Sequence, residues 1–310
     1  MDPVCVLISL HRGYGLGDAV QMSSVLRHVA KYRPHWRVDF QAERGRHVVG
    51  RGIVDNVFVY GEPYPTPHYD AEVSIVLYDT WAGWKDRPNT RVVSCLHERF
   101  GLDWDPGCAT YQINASPESE EATYISLYGV VTASKSQHHL KHPRVTRRVV
   151  AIHYQGDTAR EMKDLSHIQA DQICQAVEKL GFFPVILDWR NRSPLLHRRL
   201  TSPSDWGRDA EMVCSVIRQC VAFVGIDSGP SKCASATEVP SLVVWTRHHP
   251  AQFHDPAPNT VHLVPQGYHD LHPVHGDTDV AAWFEAKYRV RQYRSDPVRE
   301  VEAWLKEILQ

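Results

Sequence analysis

The sequence predicts an α/β protein of two doubly wound domains. Three observations carry that reading. Short apolar strands alternate with amphipathic helical stretches along most of the chain. The rhythm is interrupted once, by a polar, basic and histidine-rich stretch from Thr132 to Arg148, and then restarts. At 310 residues the chain is also long enough for about two domains of ~150 residues each. The expected division is 1–143 and 144–310, with a cleft at the carboxyl ends of both sheets. The C-terminal helix is expected either to stay with the second domain or to pack back on the first.

Val4–Leu10 reads as the first buried strand, followed by the glycine turn His11-Arg-Gly-Tyr-Gly-Leu-Gly17. A helix is expected from Asp18 to Tyr32, on the spacing of Val20, Leu26 and Val29. Strands follow at 37–41, 56–60 and 71–78. The helix from Thr90 to Phe100 is stopped by Gly101, and another is expected over 117–127. The second half opens with a strand at 149–154. Ser166 caps a helix that runs to Leu180. Further strands are predicted at 183–188, 221–226, 241–246 and 260–264. Helices are predicted at 209–220, 229–237, 279–290 and 296–309.

Composition narrows function by exclusion. A formal charge of -2 gives no global field to recruit nucleic acid or anionic membrane. No apolar run approaches the ~20 residues that span a bilayer, so no stable membrane insertion is expected. The cysteines at 5, 95, 108, 174, 214, 220 and 233 are widely spaced, which fits reduced thiols and a cytoplasmic location. Nineteen histidines are scattered without a zinc-ligand spacing. No metal and no cofactor are expected.

The most informative stretch is Val221-Ala-Phe-Val-Gly-Ile-Asp-Ser-Gly-Pro-Ser-Lys-Cys-Ala-Ser-Ala236. A strand ending at Asp227-Ser228-Gly229 and opening into a helix makes an anion site, because unpaired N–H groups and the helix dipole meet there. Gly229 permits close approach of a ligand, Pro230 suits a helix start, Ser228 and Ser231 offer hydroxyls, and Lys232 adds charge. Asp227 would repel phosphate, so it is expected to hold the turn, pair with a lysine or touch a sugar hydroxyl. Taken alone, the same motif is an ordinary strand-to-helix connection. The loop from Gly13 to Gly17 departs from the dinucleotide fingerprint in spacing and lacks an acidic ribose reader. It is read as room for an acceptor or sugar, with Arg12 beside it.

These motifs resemble one family. Gly15-Leu-Gly-Asp18 before a helix, His153-Tyr-Gln-Gly156 leading to Lys163, and Gly225-Ile-Asp-Ser-Gly-Pro-Ser-Lys232 are similar to the ADP-heptose lipopolysaccharide heptosyltransferases, glycosyltransferases of family 9 with the GT-B architecture. The chain departs at Lys232, where the family usually has His, and at Asp164-Leu165-Ser166, where it often has a Trp-Pro pair. The resemblance implies two Rossmann-like domains facing across a cleft and an inverting, metal-independent transfer of a heptose or related sugar. The donor would be ADP- or another nucleoside diphosphate-sugar, and the acceptor a glycan or other hydroxyl-bearing molecule. It implies Asp18 as the base. It places Lys163 on the donor diphosphate, where the neighbouring Arg160 offers a second cation and the turn at Ser228 and Gly229, with Lys232 beside it, the anion site, and it puts Gly15, Gly17 and Gly156 in the cleft loops. A nucleotide-sugar-binding protein without transfer, or a sugar-nucleotide epimerase, would share much of this pattern. His248, His249 and His254 are expected to border the nucleotide pocket, with Trp245 and Phe253 either near a base or in the core.

Overall fold

The computed structural model describes residues 3–64, 68–77, 90–133, 148–200, 203–271 and 278–310. Its first sheet is built from β1 (Val4–Leu10), β2 (Trp36–Ala42), β3 (Asn56–Val59) and β4 (Ala71–Ile75), in the order β3-β2-β1-β4. All pairings in it are parallel. Helix α1 (Leu16–Tyr32) makes the crossover from β1 to β2 and buries Val20, Val25, Leu26 and Val29. Helix α2 (Thr90–Phe100) packs against α1 and ends at Gly101, whose φ of +58° suits glycine.

The second sheet has six parallel strands in the order β10-β9-β8-β7-β5-β6. They are β5 (Val149–His153), β6 (Phe183–Ile186), β7 (Ala222–Ile226), β8 (Ser241–Val244), β9 (Thr260–Pro265) and β10 (Arg289–Tyr293). β5 and β7 are buried along their whole length, as central parallel strands covered on both faces must be.

Helix α3 (Pro117–Ala133) precedes this sheet in sequence yet packs on α6 (Ala210–Arg218) and β6. It outruns the expected 117–127 because Leu127, Val130 and Val131 continue its buried face past Gly129. Between β5 and β6 run the short α4 (Arg160–Lys163) and α5 (His167–Lys179). Ser166 and Gln169 close a reciprocal capping box on α5, as the sequence implied. The remaining helices are α7 (Gly229–Ser235), α8 (Pro250–Phe253), α9 (Thr278–Lys287) and α10 (Val298–Leu309).

Two sequence expectations change here. The helix expected over 279–290 stops at Lys287, and Arg289–Tyr293 becomes strand β10. The open edge of β9 offers unpaired backbone groups, and pairing with them outweighs a weak helical pattern. The C-terminal helix stays with the second sheet. Its Val301, Trp304 and Leu305 are buried in one core with β5 and α5. Of the basic stretch, Lys135, Lys141, Arg144 and Arg147 lie outside the described residues, as does Tyr78 at the expected end of β4.

One apolar cluster joins the first sheet and α1 to a face of the second sheet, including Ala151, Val185 and Phe223. The two lobes also touch through backbone. The Ala210 amide donates to the Gly45 carbonyl at 2.9 Å. A Cβ added at Gly229 would stand 2.8 Å from Leu16 Cβ and 3.0 Å from the Gly17 nitrogen. The amino ends of α1 and α7 therefore face each other at the floor of a shared cleft.

Candidate functional site

The cleft has a volume of about 700 Å³ and draws its walls from both sheets. That size suits a small organic ligand, for which pockets of roughly 300–1,000 Å³ are usual. Arginines and lysines outnumber carboxylates seven to five along its walls, although the chain as a whole is slightly acidic. Such a surplus favours an anion.

Asp18 lines the cleft from α1. The helix begins at Leu16 with Gly15 as its extended N-cap residue, so Asp18 is the third helical residue and not the cap. Its Oδ1 accepts from Arg91 of α2 at 2.6 Å, and both side chains are about nine-tenths buried. Oδ2 has no hydrogen-bond partner among the described residues. A side chain at Gly15 would crowd it, since a Cβ there would lie 3.3 Å away. Gly17 has a different reason to be bare. A Cβ there would meet Lys232 Nζ at 3.3 Å and Gly229 Cα at 3.4 Å.

Opposite stands Asp227, at the carboxyl end of β7 and buried. It holds three cationic or cation-capable groups together. His248 Nδ1 donates to Oδ2 at 2.8 Å, Lys163 Nζ lies 3.1 Å from the same oxygen, and Lys232 Nζ lies 3.7 Å from Oδ1. Burial by itself would raise the Asp227 carboxyl. The His248 hydrogen bond and the charges of Lys232 and Lys163 outweigh burial and hold it well below the ordinary range. Burial draws the Lys232 amine down. Asp227 opposes that, and the neighbouring Lys163 adds to it. Two lysines sharing one carboxylate leave positive charge for a ligand, which is the electrostatic content of this wall.

Loop geometry sets Lys163. Ala159 enters α4 in the left-handed region at φ 49°, an unfavourable conformation for a residue with a Cβ. Asp164 staples the same loop. Its Oδ1 accepts from the Gly156 amide at 2.7 Å, and Oδ2 pairs with Arg160 Nε at 3.1 Å. Thr246 donates to the Met162 carbonyl and ties α4 to the end of β8. Arg160 is thereby spent on Asp164. It is half-exposed and is not among the residues lining the cleft, so the structure does not bring it to Lys163's position.

The phosphate turn also differs in detail from expectation. Ser231 turns inward and donates to the Ile226 carbonyl at 2.5 Å. Ser228 remains at the cleft, 3.1 Å from His153 Nδ1. Burial pushes the His153 imidazole down to about 4, so it is neutral near pH 7. The space beside Gly229, expected for a ligand, is filled by Leu16 and Gly17 of the other lobe. Helix α7 is only seven residues long, and Pro230 contributes no N–H. The lysine charges therefore matter more here than the helix dipole.

His249 caps α8 by accepting from the Ala251 amide, and burial lowers its ring to about 3. His254 is likewise buried, lowered to about 4. Neither lines the cleft, whereas His248 does. Trp245 is core, donating to His262 Nδ1 at 3.0 Å. Phe253 faces the cleft beneath Arg91. Arg12 lies over the ring of Tyr60 at 4.8 Å.

Several lining groups were not anticipated from sequence. Glu43 and Arg46 pair beyond the end of β2, and Glu43 also accepts from the Gly13 amide at 3.1 Å. Beyond β6, Asp188 accepts from the amides of Arg190 and Ser193, while Arg190 and Arg192 pair with Asp157. Arg208 completes the set. Among the described residues no cluster of histidines, cysteines and carboxylates could hold a metal ion, and no helix is long and apolar enough to cross a membrane.

No protein-family profile and no curated protein matches the chain. Solved structures do. A glycosyl transferase family 9 protein from Veillonella parvula is 13% identical, with 100% of this chain and 98% of that one covered and a TM-score of 0.65. The iron-containing dodecameric glycosyltransferase TibC of enterotoxigenic Escherichia coli is 13% identical at a TM-score of 0.58, covering 84% of this chain and 62% of TibC. E. coli heptosyltransferase WaaC with ADP is 12% identical at 0.53, covering 91% and 99%. At such identities the likeness establishes architecture: the chain has the two-domain GT-B fold of these glycosyltransferases.

Proposed function

We propose that this protein is an inverting glycosyltransferase that moves a heptose or related sugar from a nucleoside diphosphate to an acceptor hydroxyl. The observation that carries the reading is the meeting, in one cleft, of a carboxylate from the first sheet and two lysines from the second. Lys232 Nζ reaches Gly17, the residue next to Asp18 in α1, and Lys163 shares Asp227 with Lys232. The fold shared with WaaC, solved with ADP, supports a nucleotide in this cleft.

The chemistry follows from those positions. Asp18 Oδ2 takes the proton of the acceptor hydroxyl as its oxygen bonds to the anomeric carbon. The bond from that carbon to the β-phosphate oxygen breaks, and its electron pair leaves with the diphosphate. Lys163 and Lys232 stabilise the charge gathering there, helped by the Ser228 hydroxyl. Attack from the face opposite the leaving group inverts the anomeric centre. The two lysines supply the positive charge that this step needs, so the proposed mechanism runs without a metal. The seven unpaired cysteines, six of them buried, suit the reducing cytoplasm we propose as its location.

A panel of ADP-, UDP- and GDP-sugars that includes ADP-D-β-D-heptose tests the reading. Release of nucleoside diphosphate from one donor, slowly to water and faster with an acceptor, supports it. The same donor must raise the melting temperature. Donor binding without release at any acceptor concentration would instead favour a binding protein.

A further inference from the structure

We infer that Arg91 and Phe253 are positioning residues for the Asp18 base: Arg91 fixes the Asp18 carboxylate, and Phe253 fixes Arg91 from the opposite lobe. This rests on the glycosyl-transfer reading above. The contacts form an unbroken chain across the cleft. Arg91 Nη1 donates to Asp18 Oδ1 at 2.6 Å. The Arg91 guanidinium lies over the Phe253 ring, 4.8 Å from its centre. The Phe253 ring is tilted against His248 with centres 4.8 Å apart. His248 donates to Asp227, which Lys163 and Lys232 share.

Each link has a geometric job. Arg91 occupies one carboxylate oxygen and so sets the direction of the other, which must meet the acceptor proton. A planar guanidinium on an aromatic face has a restricted orientation, which an aliphatic neighbour would not impose. Phe253 ends α8, and the loop leading into α8 carries His248. The loop that holds the diphosphate turn thus also supports the guanidinium that aims the base. Arg91 comes from α2 and Phe253 from α8, so base geometry depends on the two lobes being docked.

The test uses the full-length chain and the donor turned over in the panel, with that donor's nucleoside diphosphate as the calorimetric probe. Arg91→Met is expected to lower kcat by roughly 100-fold, the scale of an ångström-level misplacement, with nucleotide affinity within about threefold. Arg91→Lys, which keeps the charge but not the plane, remains well below wild type. Phe253→Leu is expected to cost roughly 5- to 10-fold in kcat, in line with a partly desolvated cation–π contact. Phe253→Trp restores the rate to within about twofold, an aromatic rescue that a merely structural role does not predict. The pair Arg91→Met/Phe253→Leu is no slower than Arg91→Met alone, because the two act in series. A wild-type kcat in Arg91→Met, an equal loss in Phe253→Leu and Phe253→Trp, or multiplicative losses in the pair overturns the inference. If Arg91→Met does not fold, Arg91→Lys and the Phe253 variants decide alone. A wild-type protein inactive on the whole panel defeats the transferase reading itself. An active wild type indifferent to Arg91 defeats only this inference.

Discussion

Two carboxylates face one cleft and are held in opposite ways. Asp227 has both oxygens engaged by His248, Lys163 and Lys232, and its surroundings keep it charged far into the acid range. Asp18 has one oxygen bound to Arg91 and the other open to the cleft. A carboxylate surrounded by three positively charged or donating groups is held ionised and is a poor acceptor for a proton in flight. A carboxylate held at one corner is oriented and still available. On the proposed function, the difference fits Asp227 to holding the two lysines and Asp18 to the chemical step, although the two residue types are identical.

The comparison breaks most sharply by exchanging function for stability at the two sites. Asp18→Asn should lower turnover by roughly 10²- to 10⁴-fold, the usual weight of a general base. Its melting temperature and nucleoside diphosphate affinity should change little. Kinetics and calorimetry on the same preparation check this. Asp227→Asn should do the reverse. It leaves the buried Lys232 and the partly buried Lys163 without their counter-charge and should cost roughly 3–5 kcal/mol of folding stability, read by chemical denaturation. Equal stability losses at the two sites would erase the distinction.

Lys163→Ala sharpens the account of the phosphate wall. Losing a charged contact of roughly 1.5–3 kcal/mol should weaken nucleoside diphosphate binding by about 10- to 100-fold, measured by calorimetry. Asp18→Asn should show no such loss.

A separate test concerns pH. The buried rings of His153 and His254 are lowered to about 4 and that of His249 to about 3, against 6.5 in the unfolded chain. Below pH 6.5 the unfolded state binds these protons and the native state does not, so stability falls as pH drops from about 6.5 to 4. Asp227 does not offset this. Its folded value lies below its unfolded one, so its stabilisation is complete above pH 4 and is lost only as pH falls further. A melting temperature constant from pH 7 to 4.5 would contradict the buried histidines.

Much of the fold could be read from local pattern. The alternation of strands and helices, the Ser166 cap and the β7–turn–α7 unit all depend on neighbours in sequence, and all are present. Asp18, Lys163, Ser228, Gly229 and Lys232 line one cleft for a local reason as well: each lies in the segment that follows the carboxyl end of a parallel strand. That rule, applied to every strand end, also reaches Glu43 and Arg46 after β2 and Asp188 to Arg192 after β6, which the motif-based reading passed over. Arg91 is different. It arrives through the packing of α2 on α1, and nothing in Thr90-Arg-Val-Val announces a partner 73 residues away. Ser231 is turned from the cleft because its hydroxyl donates to the Ile226 carbonyl at the end of β7, a contact that the sequence does not announce. β10 was missed because edge pairing is a tertiary decision.

A crystal structure with a non-hydrolysable analogue of the donor tests the central claim most directly. The diphosphate should lie within hydrogen-bond reach of Lys163 and Lys232, with the anomeric carbon on the side facing Asp18 Oδ2. A diphosphate seated away from both lysines, or an anomeric carbon turned from Asp18, would contradict it.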